Sequence, residues 1–523
     1  MKFLPDYQSL SFSAIKARIS QLEELGKPEQ DFLYANITDW LHSDRRKLMQ
    51  TAQKYYKNEA DITERQRYYI DRKGNQQEAK NLSNSRLCHP FMKKLTNQKV
   101  NYLLSKEFTI KAEDEAFAEK LGTYLDKKFL RMLKNIGRDA VVNGLAWLQV
   151  YYDATGELKF KRIPSDAVIP FWADAEHTVL DAVIRVYSLV QFQKDGYKKD
   201  ITKIEYHTRK GVWYFVMGEK GLEPDPEMGG LLHGHFTAEQ NTGRKDENGN
   251  PIMSEVQATW DRVPFVAFKY NPDELSLLKW VKPLIDDYDL NTSDTSNNLQ
   301  DVPNSIKVVR NYDGTDKGEF VQNLATFRTA FVGGDGDMSV LNTPLDTTAI
   351  DAHLNRLRRD IYDAGNGVDM QDENLGNASG VALKFRYAGL DSDAMDMATE
   401  FVAAMEDLVW FIKTDMAAKG MGDYTNTEFD IVFNTDIIIN EAEVITAAKN
   451  SVGVISDETI VANHPWVTDA VEEMDKLKKQ KEEAMQESMD MMALENGFGE
   501  NGEDNNKNDN KNDNKNDNSG GDE

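Results

Sequence analysis

Apolar residues fall at three- and four-residue steps through most of the first 150 positions. IKARISQLEEL (15–25) and FLYANITDWLHSDRRKLMQTAQKYY (32–56) carry the pattern and predict helices across 8–62. Asn84 to Leu104 continues it, with Phe91, Leu95, Val100 and Leu103 as core positions, and 114–148 predicts two more helices. From there to about 270 the period shortens. LAWLQVYYD, ELKFKRIP, AVIRVYSLVQ, ITKIEYHT, GVWYFVMG and VPFVAFKYN are aromatic or β-branched runs broken by Gly, Asp and Pro, which predicts antiparallel strands. GRKDENGNP (243–251) is a turn-rich excursion inside them.

The helical period returns at Asp273. Leu277, Val281, Leu284 and Tyr288 step four, three, four, and Pro283 is expected to start or kink that helix. Residues 304–346 revert to strand and turn. Ile350, Leu354, Leu357 and Ile361 then repeat the four-three-four stripe of a packed helix until Gly365 and Gly367 stop it. Beyond a glycine-rich stretch, a long helix is expected over Val381 to Ala418, with Gly389 as a candidate kink. FDIVFNTDIII (429–439) predicts a strand, and 441–494 predicts helices. The closing NKNDNKNDNKNDN has nothing apolar to bury and reads as a disordered polar tail. Blocks of helix and strand in this order make an α+β chain.

Composition narrows the function classes. With 523 residues, 40% of them hydrophobic, the chain has enough for two to four modules. Net charge is −26; the tail from Glu495 supplies nine acids against three lysines, leaving −20 on the body. Such a surface does not hold nucleic acid through clustered Lys and Arg. It still suits a protein past which DNA must slide, and net charge alone also favours solubility. The single cysteine, Cys88, excludes an internal disulfide and a CxxC zinc site; between Leu87 and Phe91 in a helical pattern it reads as a buried thiol. No run of about 18 apolar residues predicts a membrane span, and the start MKFLPDYQSLSF lacks the apolar core of a signal peptide.

Residues 365–387, GNGVDMQDENLGNASGVALKFRY, resemble a phosphate-cradling loop that opens a helix. They fail the Walker test: Gly376 to Gly380 is followed by Val381, and Lys384 comes too late. GGDGD (333–337) lacks the ligand series of a calcium loop and reads as a hairpin turn. His233 and His235 are a close pair without a visible third ligand. Asp286, Asp287, Asp289, Asp294 and Asp301 lie along one helical stretch; they form either a solvated acidic face or, as an alternative, the magnesium site of a nuclease. No catalytic residue, metal ion or cofactor is expected.

Five segments in order resemble the portal proteins of tailed double-stranded DNA phages, in the branch of long-tailed phages of Gram-positive bacteria. They are YYKNEADITERQRYY (55–69), NLSNSRLCHPFMKKLTNQKVNYLLSKEFTI (81–110), the β-region pieces FKRIPSDAVIPFW and RVPFVAFKYNPDELSLLKWVKPLIDDYDLNTSDTSNNLQD, ASGVALKFRYAGLDSDA, and GVISDETIVANHPWVTDAVEEMDKLKKQKEE. Together they span roughly 30–490, and the KNDN tail has no counterpart.

The resemblance implies a portal fold and a head-tail connector. About twelve copies would form a ring closed by a head-to-tail interface. The wing would be 1–272 with 381–440, the stem 273–303 and 347–366, the clip 304–346, and the crown 441–494. The connector 367–380 would be the tunnel loop. Its DNA-facing residues would be Asp369, Met370, Gln371, Asp372, Glu373, Asn374, Leu375, Asn377 and Ser379. Gly365, Gly367, Gly376 and Gly380 would be its hinges, and Ser379 would cap the next helix. The stripes Leu277, Val281, Leu284, Tyr288 and Ile350, Leu354, Leu357, Ile361 would supply the seam between subunits. Asp286, Asp289, Arg356 and Arg359 would face tunnel or solvent, and Arg356, Arg359, Lys384 and Arg386 would form a basic ring. Tyr312, Asp313, Asp316, Lys317 and Glu319 would dock partners at the clip. The implied partners are the large terminase subunit, a head completion (adaptor) protein, major capsid and scaffolding proteins, and the DNA in transit. The implied place is the portal vertex of the virion, after assembly in the host cytoplasm. The alternatives are another minor virion protein and the nuclease above.

Overall fold

In the computed structural model the residues described are 29–301 apart from 71–72, 80–81, 193–197, 220, 230–231, 246 and 248–250, then 306–310, 335–341, 346–371, 380–434, 441–464, 466–467 and 470–497. They fall into two units, one ending at Ile437 and one starting at Ile438.

In the first unit, α1 (Glu29–His42) and α2 (Asp44–Tyr56) are divided by Ser43, whose hydroxyl accepts the Arg46 N–H and starts the second helix. A hairpin of β1 (Tyr68–Ile70) and β2 (Gln76–Glu78) follows, then α3 (Phe91–Leu104), β3 (Thr109–Ala112), α4 (Glu115–Tyr124) and α5 (Lys127–Asn143). Asp114 and Asp126 cap α4 and α5 by accepting N–H groups from their first turns. The helix expected over Asn84–Leu104 therefore begins only at Phe91. Pro90 pushes the residue before it out of the helical region, and the chain ahead of it is extended. Cys88 consequently lies in an extended segment and is half-buried, its thiol donating to Asn58; burial raises that thiol above its usual range.

The strand block is β4 (Leu145–Tyr152), β5 (Leu158–Ile163), β6 (Val168–Trp172), β7 (Leu180–Phe192), β8 (Lys198–Thr208), β9 (Gly211–Gly218), β10 (Gly221–Pro224), β11 (Phe236–Lys245), β12 (Pro251–Ala258) and β13 (Phe265–Lys269). It forms a three-stranded sheet, β13-β4-β5, a five-stranded sheet, β10-β9-β8-β7-β6, and the β11–β12 pair, whose strands take in both ends of the turn expected over 243–251, all antiparallel as the alternation predicts. Phe32, Leu33, Ile37 and Trp40 of α1 enter one core with Ile169, Phe171, Ile184 and Phe215 of the larger sheet.

Next come α6 (Leu278–Asp301), β14 (Ile306–Arg310) paired with β15 (Asp337–Leu341), α7 (Thr347–Ala364), α8 (Gly380–Ala418) and β16 (Phe429–Val432), which pairs with β3. α6 and α7 pack together. α6 runs through Pro283, which sits in its second turn and removes one ladder bond without ending the helix. α8 is helical through Gly389. Its Met397, Phe401, Met405, Leu408 and Ile412 enter the larger core with Leu95, Leu133, Phe268 and Val281.

The second unit holds α9 (Glu441–Asn450), α10 (Asp457–Ala462), begun by the Ser456 cap, and α11 (Ala470–Gly497). Among its residues with a described exposure, none is buried, and Val454, Trp466 and Val471 are exposed.

α5 turns into β4 at Gly144, where φ is +91° and a Cβ would stand 2.0 Å from the Glu274 carbonyl oxygen. Glu274, itself at φ +55° and buried, gathers Arg45 at 2.7 Å, His177 at 2.8 Å and Lys269 at 3.6 Å. Burial by itself would raise its carboxyl, but the His177 hydrogen bond and the Arg45 charge outweigh that and hold it at about 2. Gly144→Ala should therefore cost on the order of 3 kcal/mol or more, read as a lower melting temperature or insolubility. A carboxyl more acidic when folded stabilises fully above its unfolded value of 4.5 and loses that contribution as pH falls toward about 2. Thermal melts between those limits should show the loss, and Glu274→Gln should flatten it.

Candidate functional site

α6 carries polar side chains at steps of four: Asp289, Ser293, Asn297 and Asp301. The first three are 0%, 0% and 1% exposed. Each accepts a backbone N–H from the extended strap 83–89. Asp289 Oδ1 takes that of His89 at 3.0 Å, Ser293 Oγ that of Leu87 at 2.9 Å, Asn297 Oδ1 that of Ser85 at 2.6 Å, and Asp301 Oδ1 that of Ser83 at 3.1 Å. Four helical residues rise ~6 Å and two extended residues ~6.6 Å, so alternate strap residues keep step with successive helical turns. Side chains reinforce the ladder. His89 Nδ1 lies 2.7 Å from Asp289 Oδ1, Arg65 reaches Asp294 at 2.7 Å, and Arg67 bridges Asp301 at 2.8 Å and the Ser83 carbonyl at 2.7 Å. Nearer the start of α6, the Tyr55 hydroxyl donates to Asp286, and Lys282 joins Asp286 to Asp61. Burial, then the Asp286 bond, push the Tyr55 phenol above its usual range; burial also raises Asp289.

The acid run therefore has internal partners, Asp287 included, which meets Asn291 at 2.8 Å and His353 at 3.2 Å. Among the described residues no three His, Cys, Asp or Glu side chains are placed to hold a metal ion. His233 and His235 diverge: His233 Nε2 contacts the Met228 carbonyl, while His235 Nδ1 accepts the Trp260 N–H. Burial, with His207 beside it, pulls His235 down to about 4.

α7 leads into the glycine-rich stretch. Asp369 is held by Arg358 through two bonds of 2.5 and 2.7 Å, and the pair draws its carboxyl below the usual range against the opposing effect of burial. Met370 and Gln371 are exposed. Gly365 closes α7 at φ −89°, and the positive φ falls on Asn366, at +46°, not on Gly365 or Gly367. Gly380 opens α8. Asp372, Glu373, Asn374, Leu375, Gly376, Asn377 and Ser379 lie outside the described residues.

Between α6 and α7 lie the paired strands β14 and β15, and α7 leads through the glycine-rich stretch to the long α8. The model of the family described as "Phage portal protein, SPP1 Gp6-like" matches residues 41–487. The chain belongs to that portal family. Two curated portal proteins are similar to it over most of their length: that of Bacillus phage SPP1, 27% identical over 431 residues and 82% of both chains, and that of Clostridium phage phiCD119, 29% identical over 453 residues, 83% of this chain and 92% of the other. A chain from a solved particle described as "Neck of native GTA particle computed with C12 symmetry" superposes at a TM-score of 0.40 with 10% identity, over 72% of this chain and 90% of its own, a likeness too loose to bear an inference.

In this portal-family chain, the stripes expected at a subunit seam divide. Leu277, Val281, Leu357 and Ile361 are buried in the chain's own core, so their packing is spent within the subunit. Leu284, Tyr288, Ile350 and Leu354 are only half-buried. Asp289, expected to face tunnel or solvent, is covered by the strap. Arg356, Arg359, Lys384 and Arg386 are exposed on α7 and α8, and Phe385 is 79% exposed between two of them. Tyr312, Asp313, Asp316, Lys317 and Glu319 lie outside the described residues. The strap contacts were missed, although polar residues every four positions on one helix were the available signal.

Ser293→Ala leaves the Leu87 N–H without its acceptor and should cost about 1–3 kcal/mol, whereas the more exposed Asp287→Asn should stay within about 0.5 kcal/mol. Urea unfolding of the two variants beside the parent checks this, with equal midpoints counting against the ladder.

Proposed function

We propose that the chain is the subunit of a portal ring at one vertex of a phage head, through which double-stranded DNA enters during packaging and leaves at ejection. The observation that carries this reading is the family match over 41–487, with the α6–α7 pair and its connector to α8 falling inside it. The α6–α7 pair acts as stem, β14 and β15 as part of the clip, and 367–380 as the tunnel loop. The half-buried Leu284, Tyr288, Ile350 and Leu354 are the stripe positions left for a neighbouring subunit. The chain lacks a Walker lysine in its glycine-rich loop, so a separate ATPase, the large terminase subunit, drives translocation. A head completion protein replaces it at the clip once the head is full.

Net charge favours passage over binding. A chain of −26 repels phosphate, and each lysine or arginine that held a phosphate would add counterion-release affinity and hence friction. The exposed Arg356, Arg359, Lys384 and Arg386 offset that repulsion locally, repeated once per subunit.

Negative-stain images of purified protein should show rings with a central channel end-on; particles without a channel would overturn the reading. Deleting Asp372 to Asn377 should leave rings intact and lower the DNA retained per head, measured by phage yield and by the ratio of full to empty heads. Normal filling would remove the loop from the mechanism.

A further inference from the structure

Residues 365–371 form the first part of the connector between α7 and α8, and side chains of three helices grip them. Gln98 of α3 donates from Nε2 to the Val368 carbonyl at 2.6 Å and accepts the Val368 N–H at Oε1 at 3.1 Å. It thus satisfies a whole peptide residue as a neighbouring strand would. Lys99, next along α3 and 1% exposed, donates to the Asn366 carbonyl at 3.3 Å and to Asp393 of α8 at 2.5 Å. Tyr270 closes on the same Asp393 carboxylate. Arg358 of α7 takes Asp369 in the two-point bond described above. The Val368 side chain is buried among Tyr102 of α3 and Tyr387, Leu390 and Ala394 of α8.

Gly365 and Gly367, two of the four glycines expected to act as hinges, do something else. Neither is at positive φ. A Cβ at Gly365 would stand 2.7 Å from Leu95 Cδ1, and one at Gly367 would stand 2.3 Å from Leu95 Cδ2. They are glycines because the backbone lies flat on α3, and the Gly367 N–H is itself bonded to the Tyr362 carbonyl at 2.7 Å. Lifting the segment would break the charge-assisted Arg358–Asp369 pair and take the Asn366 carbonyl from the buried Lys99 ammonium, leaving it Asp393 of α8.

We propose that Gln98, Lys99 and Arg358 are positioning residues that clamp 365–371 onto α3 and α8 as a fixed mount. The clamp holds 365–371 in place, and load applied to this segment passes into α3, α7 and α8. The mount stands on its own geometry; its role in DNA handling rests on the tunnel-loop reading above.

Hydrogen exchange, read by mass spectrometry on the assembled protein, tests the mount directly. Peptides covering 366–371 should retain deuterium at Gly367 and Val368, and Gln98→Leu should speed their exchange roughly tenfold to a hundredfold. Free exchange in the parent, or no change in Gln98→Leu, overturns the mount. The functional arm uses Arg358→Gln, with Arg358→Lys as the conservative variant. Rings of Arg358→Gln should form but retain less DNA per head, and Arg358→Lys should recover part of the loss, since it keeps the charge but not the two-point bond. Loosened exchange with normal filling overturns the positioning role. Should the Asp372–Asn377 deletion fill heads normally while 366–371 stays protected, the tunnel-loop reading fails and the mount survives.

Discussion

The structure depends on a match between two repeats of different kinds. A helix presents the same face every four residues, and an extended chain presents its N–H groups to one side every two. On α6 four acceptors spaced by four meet four strap amides spaced by two, with three of the acceptors shut away from water. A buried carboxylate, hydroxyl and amide would each be a liability alone, and the strap amides would be equally costly if left unpaired. Together the strap amides and the oxygens they reach satisfy one another, while Asp289 Oδ2 stays buried without a hydrogen-bond partner. This also commits α6 to one orientation, because rotating it about its axis would bury acceptors without donors.

From that commitment the rest of the site follows. The strap ends at Pro90, where α3 begins, so the ladder sets where α3 starts and how far it stands from α6. α3 in turn supplies Leu95, Gln98 and Lys99, the side chains under the segment after α7. The strap and the two helices expected to form a stem, far apart in sequence, are therefore joined through one short extended stretch. Most of the acids along α6 serve this scaffold, which is why a strongly acidic chain can concentrate carboxylates there without self-repulsion dominating: Arg65, Arg67, Lys282 and His89 answer them.

The parts of this that were legible in the sequence are those whose signal is local. The stripes of α6, α7 and α8 and the alternation across β4 to β13 each declare their own period, and the element types follow. The family resemblance was legible from five short segments in order. What stayed hidden depends on partners distant in sequence. Asn84–Leu104 looked helical throughout because its apolar spacing continues past Pro90, yet the strap's amides are taken by α6, about 200 residues away. Asp289 looked solvent-facing because a charge on a helix usually is. Gly365 and Gly367 looked like hinges because glycine serves both rotation and close approach, and only Leu95 beneath them distinguishes the two.

The ladder also constrains how such chains can vary in length. Adding or removing one strap residue between 83 and 89 would turn every later amide to the wrong side. A change of two residues would need four compensating positions in α6, one full turn and a little more, to restore the fit. Insertions among relatives should therefore be excluded from this stretch unless they occur in that two-to-four ratio.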